Sequence, residues 1–372
     1  MLEFVRYLGY LIYRFTPKRD LAVIWGWPDH EDSLIAVEQK LQDTKVQQVV
    51  LLMTNPNNTP PWKLGSKTIC VKKDSWRGWW WFCKARYVFF THRCFMYEFP
   101  PNVVSVNIWH GMPIKRIGLM LECNKGISSD YALATSPFWA EIMDRSMKPK
   151  QTSLICGMPR NDRLFSDRAI ILQKLGLDPN QRLLAWLPTY RKSVRGEFRN
   201  DGTEFGNAFT LPDVDPVKIN DYLRQQDVII ILKPHPMAIE PELKSFSHLW
   251  IVDDTWLHQK SLSLYELLGA TDLLISDISS VVIDYLLVDR PIIHAFADCE
   301  EYQNSRGFSV ERIDEWFAGA VVKNMQELIE SMDLELDGKD PHQAARQRIK
   351  ALSHAHNDNQ ATKRLLNKVL NT

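Results

Sequence analysis

Short apolar runs recur along the chain, separated by longer polar or helix-patterned stretches. In the first half they fall at residues 21–27, 49–53, 67–71, 87–91, 103–108, 131–135 and 153–156. A second series occupies 183–187, 228–232, 249–252, 273–276, 291–296 and 320–322. Alternation of β-rich runs with helical segments predicts mostly parallel sheets joined by crossover helices, and two such series predict two Rossmann-like domains.

Between the series, residues 163–181 carry a helical pattern through Ala169, Ile170, Leu172 and Leu175, then reach Gly176 and Pro179. Helix-ending residues at that place put the domain junction nearby, giving a first domain over 1–165 and a second over 166–372. The last stretch, 343–370, is helical on both sides of a polar break at Asn357-Asp358-Asn359, and its final helix is expected to pack back on the first domain. The tract 192–207 has no apolar periodicity, carries Gly196, Gly202 and Gly206, and reads as a loop in the position of a lid.

A length of 372 residues, 45% hydrophobic, suits two globular domains of ordinary size. Lys plus Arg and Asp plus Glu both total 45, so no overall field gathers nucleic acid, and DNA and RNA are not expected partners. The six cysteines lack CxxC spacing and indicate neither a zinc site nor a disulfide framework, which fits a reducing cytoplasm. Residues 2–15 are rich in Leu, Tyr and Phe but are interrupted by Arg6 and Arg14. They are too short and too charged to span a bilayer; they either lie in a membrane interface, with Lys18 and Arg19 near head groups, or pack on their own domain. The segment from Trp76 to Tyr87 interleaves aromatic and basic residues in the same manner, with buried core as the alternative for part of it.

Ligands of α/β proteins bind outside the carboxyl ends of the strands, so residues just beyond each run are the candidates for chemistry. Two of these ends carry an imidazole: Trp109-His110-Gly111-Met112-Pro113 and Lys233-Pro234-His235-Pro236. The segment from Leu273 to Tyr285 reads as strand, turn and helix start, where Ser279 and Ser280 either cradle a phosphate or simply cap the helix. Asp284, one turn on, either accepts bonds from ligand hydroxyls or is structural. Gly157-Met158-Pro159-Arg160-Asn161-Asp162 and Pro188-Thr189-Tyr190-Arg191 also end apolar runs. Arg160 and Arg191 match phosphate oxygens through their planar forks, or else bridge the domains through salt bridges.

Together, in this order, these motifs resemble the CDP-glycerol glycerophosphotransferase family, which includes the teichoic acid primases and polymerases and related capsule enzymes. The match runs from about residue 85 to 308 and extends through Asp289-Arg290-Pro291-Ile292-Ile293, Glu301-Tyr302 and Arg306-Gly307-Phe308. Met112, where family members often carry Thr, departs from the pattern.

The resemblance implies an α/β, GT-B-like fold whose two Rossmann-like domains face a central cleft, with the acceptor side in the first and the CDP-alcohol in the second. It implies transfer of a polyol phosphate, glycerol phosphate first, from the CDP-alcohol donor to a hydroxyl of a lipid-linked saccharide or polymer acceptor, with release of CMP. In that scheme the acceptor oxygen attacks the β-phosphorus, His110 is the general base and His235 steadies phosphate charge. Thr189, Ser279 and Ser280 bind the diphosphate, Arg160 approaches it from the first domain, and Asp284 holds a donor hydroxyl. Gly111, Met112, Pro113, Pro188, Arg191, Lys233 and Pro234 complete the substrate-binding set. No acidic pair demands a metal, so neither metal nor cofactor is expected beyond the substrate. The chain leaves little room for the extra domain of many polymerases, which favours a compact primase-like or capsule enzyme at the inner face of the membrane. A sugar-nucleotide glycosyltransferase or epimerase, and a catalytically silent nucleotide-binding protein, are the rival readings.

Overall fold

The computed structural model describes residues 2–57, 62–92, 94–96, 98–121, 128–191, 202–235 and 244–371. Pro236, Cys123 and residues 192–201 of the expected lid lie outside them.

The chain divides into two compact units. One comprises Met1–Gly111, Ile117–Asp162 and His354–Thr372; the other comprises Met112–Arg116 and Arg163–Ser353. Both are parallel-sheet α/β units. In the first, the strands are β1 (Arg19–Trp25), β2 (Gln48–Met53), β3 (Thr68–Lys72), β4 (Ala85–Phe90), β5 (Val104–Asn107), β6 (Tyr131–Ala134) and β7 (Leu154–Ile155). They form a seven-stranded sheet of order β3-β2-β1-β4-β5-β6-β7, parallel at every pairing. The second unit holds β8 (Arg182–Leu187), β9 (Val228–Leu232), β10 (Leu249–Ile251), β11 (Leu273–Ser276), β12 (Ile292–Ala295) and β13 (Ala320–Val322). Their order, β10-β9-β8-β11-β12-β13, is again all parallel.

Each apolar run of the sequence is a strand, displaced by at most a few residues, because helices cover both faces of a parallel sheet and leave its strands apolar throughout. β9, Val-Ile-Ile-Ile-Leu, is buried at every position. Strand order reverses between β1 and β4 in one unit and between β8 and β11 in the other, which opens a crevice at each switch point.

Side chains fix where the crossover helices begin. The Glu31 carboxylate accepts from the backbone N–H groups of Ser33 and Leu34 and starts helix Asp32–Leu41. Ser263 and Glu266 form a reciprocal capping box at helix Leu264–Ala270.

The C-terminal helix, Ala361–Leu370, lies in the first unit. No side chain of its own N-cap residue closes its start; instead the Asp162 carboxylate accepts from Ala361 N at 2.8 Å, Thr362 N at 3.0 Å and Thr362 Oγ1 at 2.6 Å. Gly157 has φ +84°, and a Cβ there would stand 3.0 Å from that of Ala361, so the close approach of this helix requires glycine. Residues 112–116 are threaded into the second unit. Lys115 bridges to Phe308 in antiparallel fashion, Ser309 N donates to the Ile114 carbonyl at 3.0 Å, and Arg116 N donates to that of Gly307 at 3.2 Å.

Candidate active site

In the first unit, β1, β4 and β5 are sheet neighbours around the switch point, and the residues after them are Trp27, Thr91-His92 and Trp109-His110. Asn107 Oδ1 takes the Trp109 N–H at 3.0 Å and turns the chain sharply. Trp109 then sits at φ +58° and Gly111 at φ +119°. Left-handed backbone costs a residue with a side chain about 1–2 kcal/mol, strain that clusters at functional turns.

His110 is framed by rings. The Trp109 ring lies 4.0 Å away, and His92 stacks on His110 at 4.7 Å with 7° between the planes. His92 Nδ1 is 3.0 Å from Thr91 Oγ1, which also accepts the Trp27 N–H at 3.3 Å. Burial, then the charge of Lys73, lowers the His92 imidazole to about 4. Behind the motif, Arg160 is buried and Nη1 donates to the His110 carbonyl at 3.0 Å. Glu31 lies 3.6 Å from the same nitrogen. Burial pushes the Glu31 carboxyl up to about 7 against the pull of Arg160.

The second unit repeats the arrangement at β8, β9 and β11. Thr189, after β8, hydrogen-bonds through N and Oγ1 to the carboxylate of Asp277, after β11. Arg191 Nη1 donates to Asp277 Oδ2 at 2.7 Å and to Thr189 Oγ1 at 2.7 Å; its Nε and Nη2 grip Asp298 at 2.6 and 2.8 Å. Burial alone would raise Asp277, yet Arg191, Lys115 and the bonds from Thr189 and Arg191 hold it below the usual carboxylate range. His294 Nε2 accepts from Ala318 N at 3.1 Å, so Nδ1 carries the proton it gives to the Asp277 carbonyl at 2.9 Å.

His235 follows β9, with its ring 4.6 Å from that of Tyr190. Burial, then Lys115 and Lys233, lowers it to about 4 against Asp277 and Asp254. At neutral pH it is an uncharged ring. Lys233 is buried and pairs with Asp254 at 3.0 Å. Ser279 and Ser280 are half-buried at the start of helix Ser280–Tyr285, where Ser279 Oγ accepts from Val281 N at 3.4 Å. Among the described residues, no group of three or more His, Cys, Asp or Glu is placed to hold a metal ion.

The family described as CDP-Glycerol:Poly(glycerophosphate) glycerophosphotransferase matches residues 19–371. The chain belongs to this family. Among glycerophosphotransferase relatives, a teichoic acid poly(glycerol phosphate) polymerase of Bacillus spizizenii is 25% identical over 262 residues, 63% of this chain and 61% of its own length. A teichoic acid ribitol-phosphate primase of the same organism is 27% identical over 292 residues, 71% of this chain and 68% of its own. The chain spans less than two thirds of the polymerase. Wall teichoic acid polymerase TagF, a solved structure, superposes with a TM-score of 0.78 at 17% identity, covering 100% of this chain and 94% of that one. Its likeness establishes a GT-B-like fold.

Of the residues singled out from the sequence, His110, Gly111 and Arg160 stand in the first unit. Met112, Pro113, Pro188, Thr189, Arg191, Lys233, Pro234, His235, Ser279, Ser280 and Asp284 stand in the second. The structure gives several of them protein partners. The ion pairs of Arg160 with Glu31 and of Arg191 with Asp277 and Asp298 each lie within one unit, rather than bridging domains. Asp284 is fully buried and its Oδ2 accepts from the Tyr265 hydroxyl at 2.7 Å. Met112 is also fully buried.

Sequence reasoning passed over His92, Lys115, Asp277 and Asp298. Asp277 lay inside the segment from Leu273 to Tyr285, beside the Ser residues that drew attention, and Lys115 stood two residues past Trp109-His110-Gly111-Met112-Pro113. The signal for His92 was its position one residue past a predicted strand end, and Asp298 gave none beyond following β12.

Proposed function

We propose that this protein transfers a polyol phosphate from a CDP-alcohol to a hydroxyl of a lipid-linked saccharide or growing cell-surface polymer, releasing CMP. The observation that carries this reading is an imidazole just beyond a strand end in each of the two units of a chain matched by the family over 19–371. Relatives named for glycerol phosphate and for ribitol phosphate both match; glycerol phosphate is taken as the group transferred because the family description names it.

In this reading the acceptor oxygen attacks the β-phosphorus, a P–O bond forms, and the bond to CMP breaks with its electron pair leaving on the nucleotide phosphate. His110 takes the acceptor proton. His235, uncharged in the free protein, gives an N–H to the diphosphate, whose negative charge favours its protonation as the reaction proceeds. Thr189, Ser279 and Ser280 border the donor, with Lys115 and Lys233 supplying positive charge. Arg160 holds the His110 backbone. Arg191 and Asp284 serve from beneath, one through Thr189 and Asp277, the other through Tyr265. Gly111, Met112, Pro113, Pro188 and Pro234 set the backbone that carries these groups.

The same reading seats the protein peripherally on a membrane surface. What supports this is helix Leu2–Phe15 and its neighbour Trp76–Lys84, which leave Tyr7, Leu8, Ile12, Phe15, Trp76 and Trp80 exposed beside Arg14, Arg77 and Lys84. No helix among the described residues is long and apolar enough to cross a bilayer.

Incubation with CDP-glycerol or CDP-ribitol and a lipid-linked saccharide should release CMP in step with acceptor extension. Turnover of a UDP-sugar, with no CMP from either CDP-alcohol, would overturn the assignment in favour of a sugar-nucleotide enzyme.

A further inference from the structure

We propose that His92 is a positioning residue for His110, its imidazole face fixing the plane in which His110 meets the acceptor hydroxyl. This rests on the reading of His110 as the base.

Rotation about χ2 is broad and roughly two-fold, so an imidazole on a turn keeps its aim only if its faces are packed. The face of His110 is covered by His92 at 4.7 Å and 7°, and a parallel contact of that kind leaves the ring free to slide in its plane but not to tip out of it. Trp109 adds a tilted ring at 4.0 Å.

His92 is itself held. Its Nδ1 meets Thr91 Oγ1 at 3.0 Å, and the Trp27 ring stands against it at 5.8 Å and 82°. Thr91 is tied in turn to the Trp27 N–H. The restraint therefore runs from β1 through β4 to the turn after β5, across three adjacent strands at the switch point.

Charge makes the pairing workable. When His110 takes a proton it becomes a cation 4.7 Å from the neighbouring ring, and a second cation there would resist that step. Burial and the charge of Lys73 lower His92 to about 4, so its ring is neutral near pH 7. Other charges on this side are already matched: Lys73 is bound to Asp29 and to the Gly26 carbonyl, and Arg160 faces Glu31 at the His110 carbonyl. A neutral aromatic face also favours an adjacent cation.

The requirement is thus for a neutral ring, not for a titrating group. His92→Ala should lower kcat about 10–100-fold, the scale of a misaligned reacting group, with the KM for the CDP-alcohol changed less than about twofold. His92→Phe, which keeps a ring, should recover kcat to within about threefold of the parent protein; His92→Gln, which keeps polarity without a ring, should not. If the Ala variant fails to fold, the Phe and Gln variants decide the matter. NMR adds a readout independent of turnover: the His110 Cε1–H resonance should move in His92→Gln and hold in His92→Phe. An unchanged kcat in both Ala and Gln variants, or recovery by Gln and not Phe, overturns the proposal. If those variants are silent while His110→Ala abolishes turnover, only the positioning role falls; if His110→Ala is also silent, the assignment of the base falls with it.

Discussion

Three imidazoles, His92, His235 and His294, are each lowered from 6.5 to about 4, chiefly by burial. A histidine depressed in the folded state is protonated first in the unfolded chain, so its stabilising contribution is intact above pH 6.5 and is lost as pH falls from 6.5 through 4. Glu31 and Glu335 oppose this. Their carboxyls are raised from 4.5 to about 7, so their contribution is present below 4.5 and lost as pH rises through 7. With three imidazoles against two carboxyls, and Asp277 held below the usual carboxylate range on the imidazoles' side, the urea midpoint should fall on acidification from pH 6.5 to 4, and His294→Asn should flatten part of that slope. A midpoint that rises over this range would contradict the account. At this scale the sequence was readable where a residue's place along a strand decides its role. His110 and His235 stood out because each follows an apolar run. The partners of Arg191 did not, since Asp277 and Asp298 lie 86 and 107 residues away and only strand pairing brings them near.

At the scale of elements, legibility follows apolar patterning. All-apolar runs as short as β9, recurring between helical stretches, fit strands covered on both sides, and so both sheets were readable as series. Sheet order came from the coordinates, because a run of Val and Ile carries no record of its neighbours. Helix Leu2–Phe15 shows the limit well: its pattern allows packing on its own unit or a membrane interface, and in the structure one side packs while the other is exposed. Tyr13 is buried against Phe82, at 4.8 Å between rings, while Tyr7 is 61%, Phe15 75% and the adjoining Trp76 78% exposed. Since that outer face is the proposed membrane contact, replacing Leu8, Ile12 and Trp76 with Ser should reduce flotation with phosphatidylglycerol vesicles at least about tenfold and leave the melting temperature within a few degrees. Undiminished flotation would remove this face from the membrane contact.

For the whole molecule, contiguity along the chain was the misleading guide. A single cut between residues 165 and 166 is the natural division of a sequence, yet the compact units exchange two pieces: 112–116, which nothing in the sequence set apart, goes with the second, and 354–372 goes with the first, as expected for the final helix. The causes are local and specific, a bridge from Lys115 to Phe308 in one case and the Asp162 carboxylate at the start of helix Ala361–Leu370 in the other. The first exchange places the family motif across a unit boundary, with His110 and Gly111 on one side and Met112 and Pro113 on the other. The proposed chemistry divides in the same way, the proton acceptor in one unit and the groups assigned to the donor diphosphate in its companion. The most direct test of that division is pre-steady-state CMP release by His110→Ala, measured together with its affinity for CDP-glycerol. The account predicts unchanged donor binding and CMP release slowed about 100- to 10,000-fold, the range for loss of a general base; release at the parent rate would contradict it.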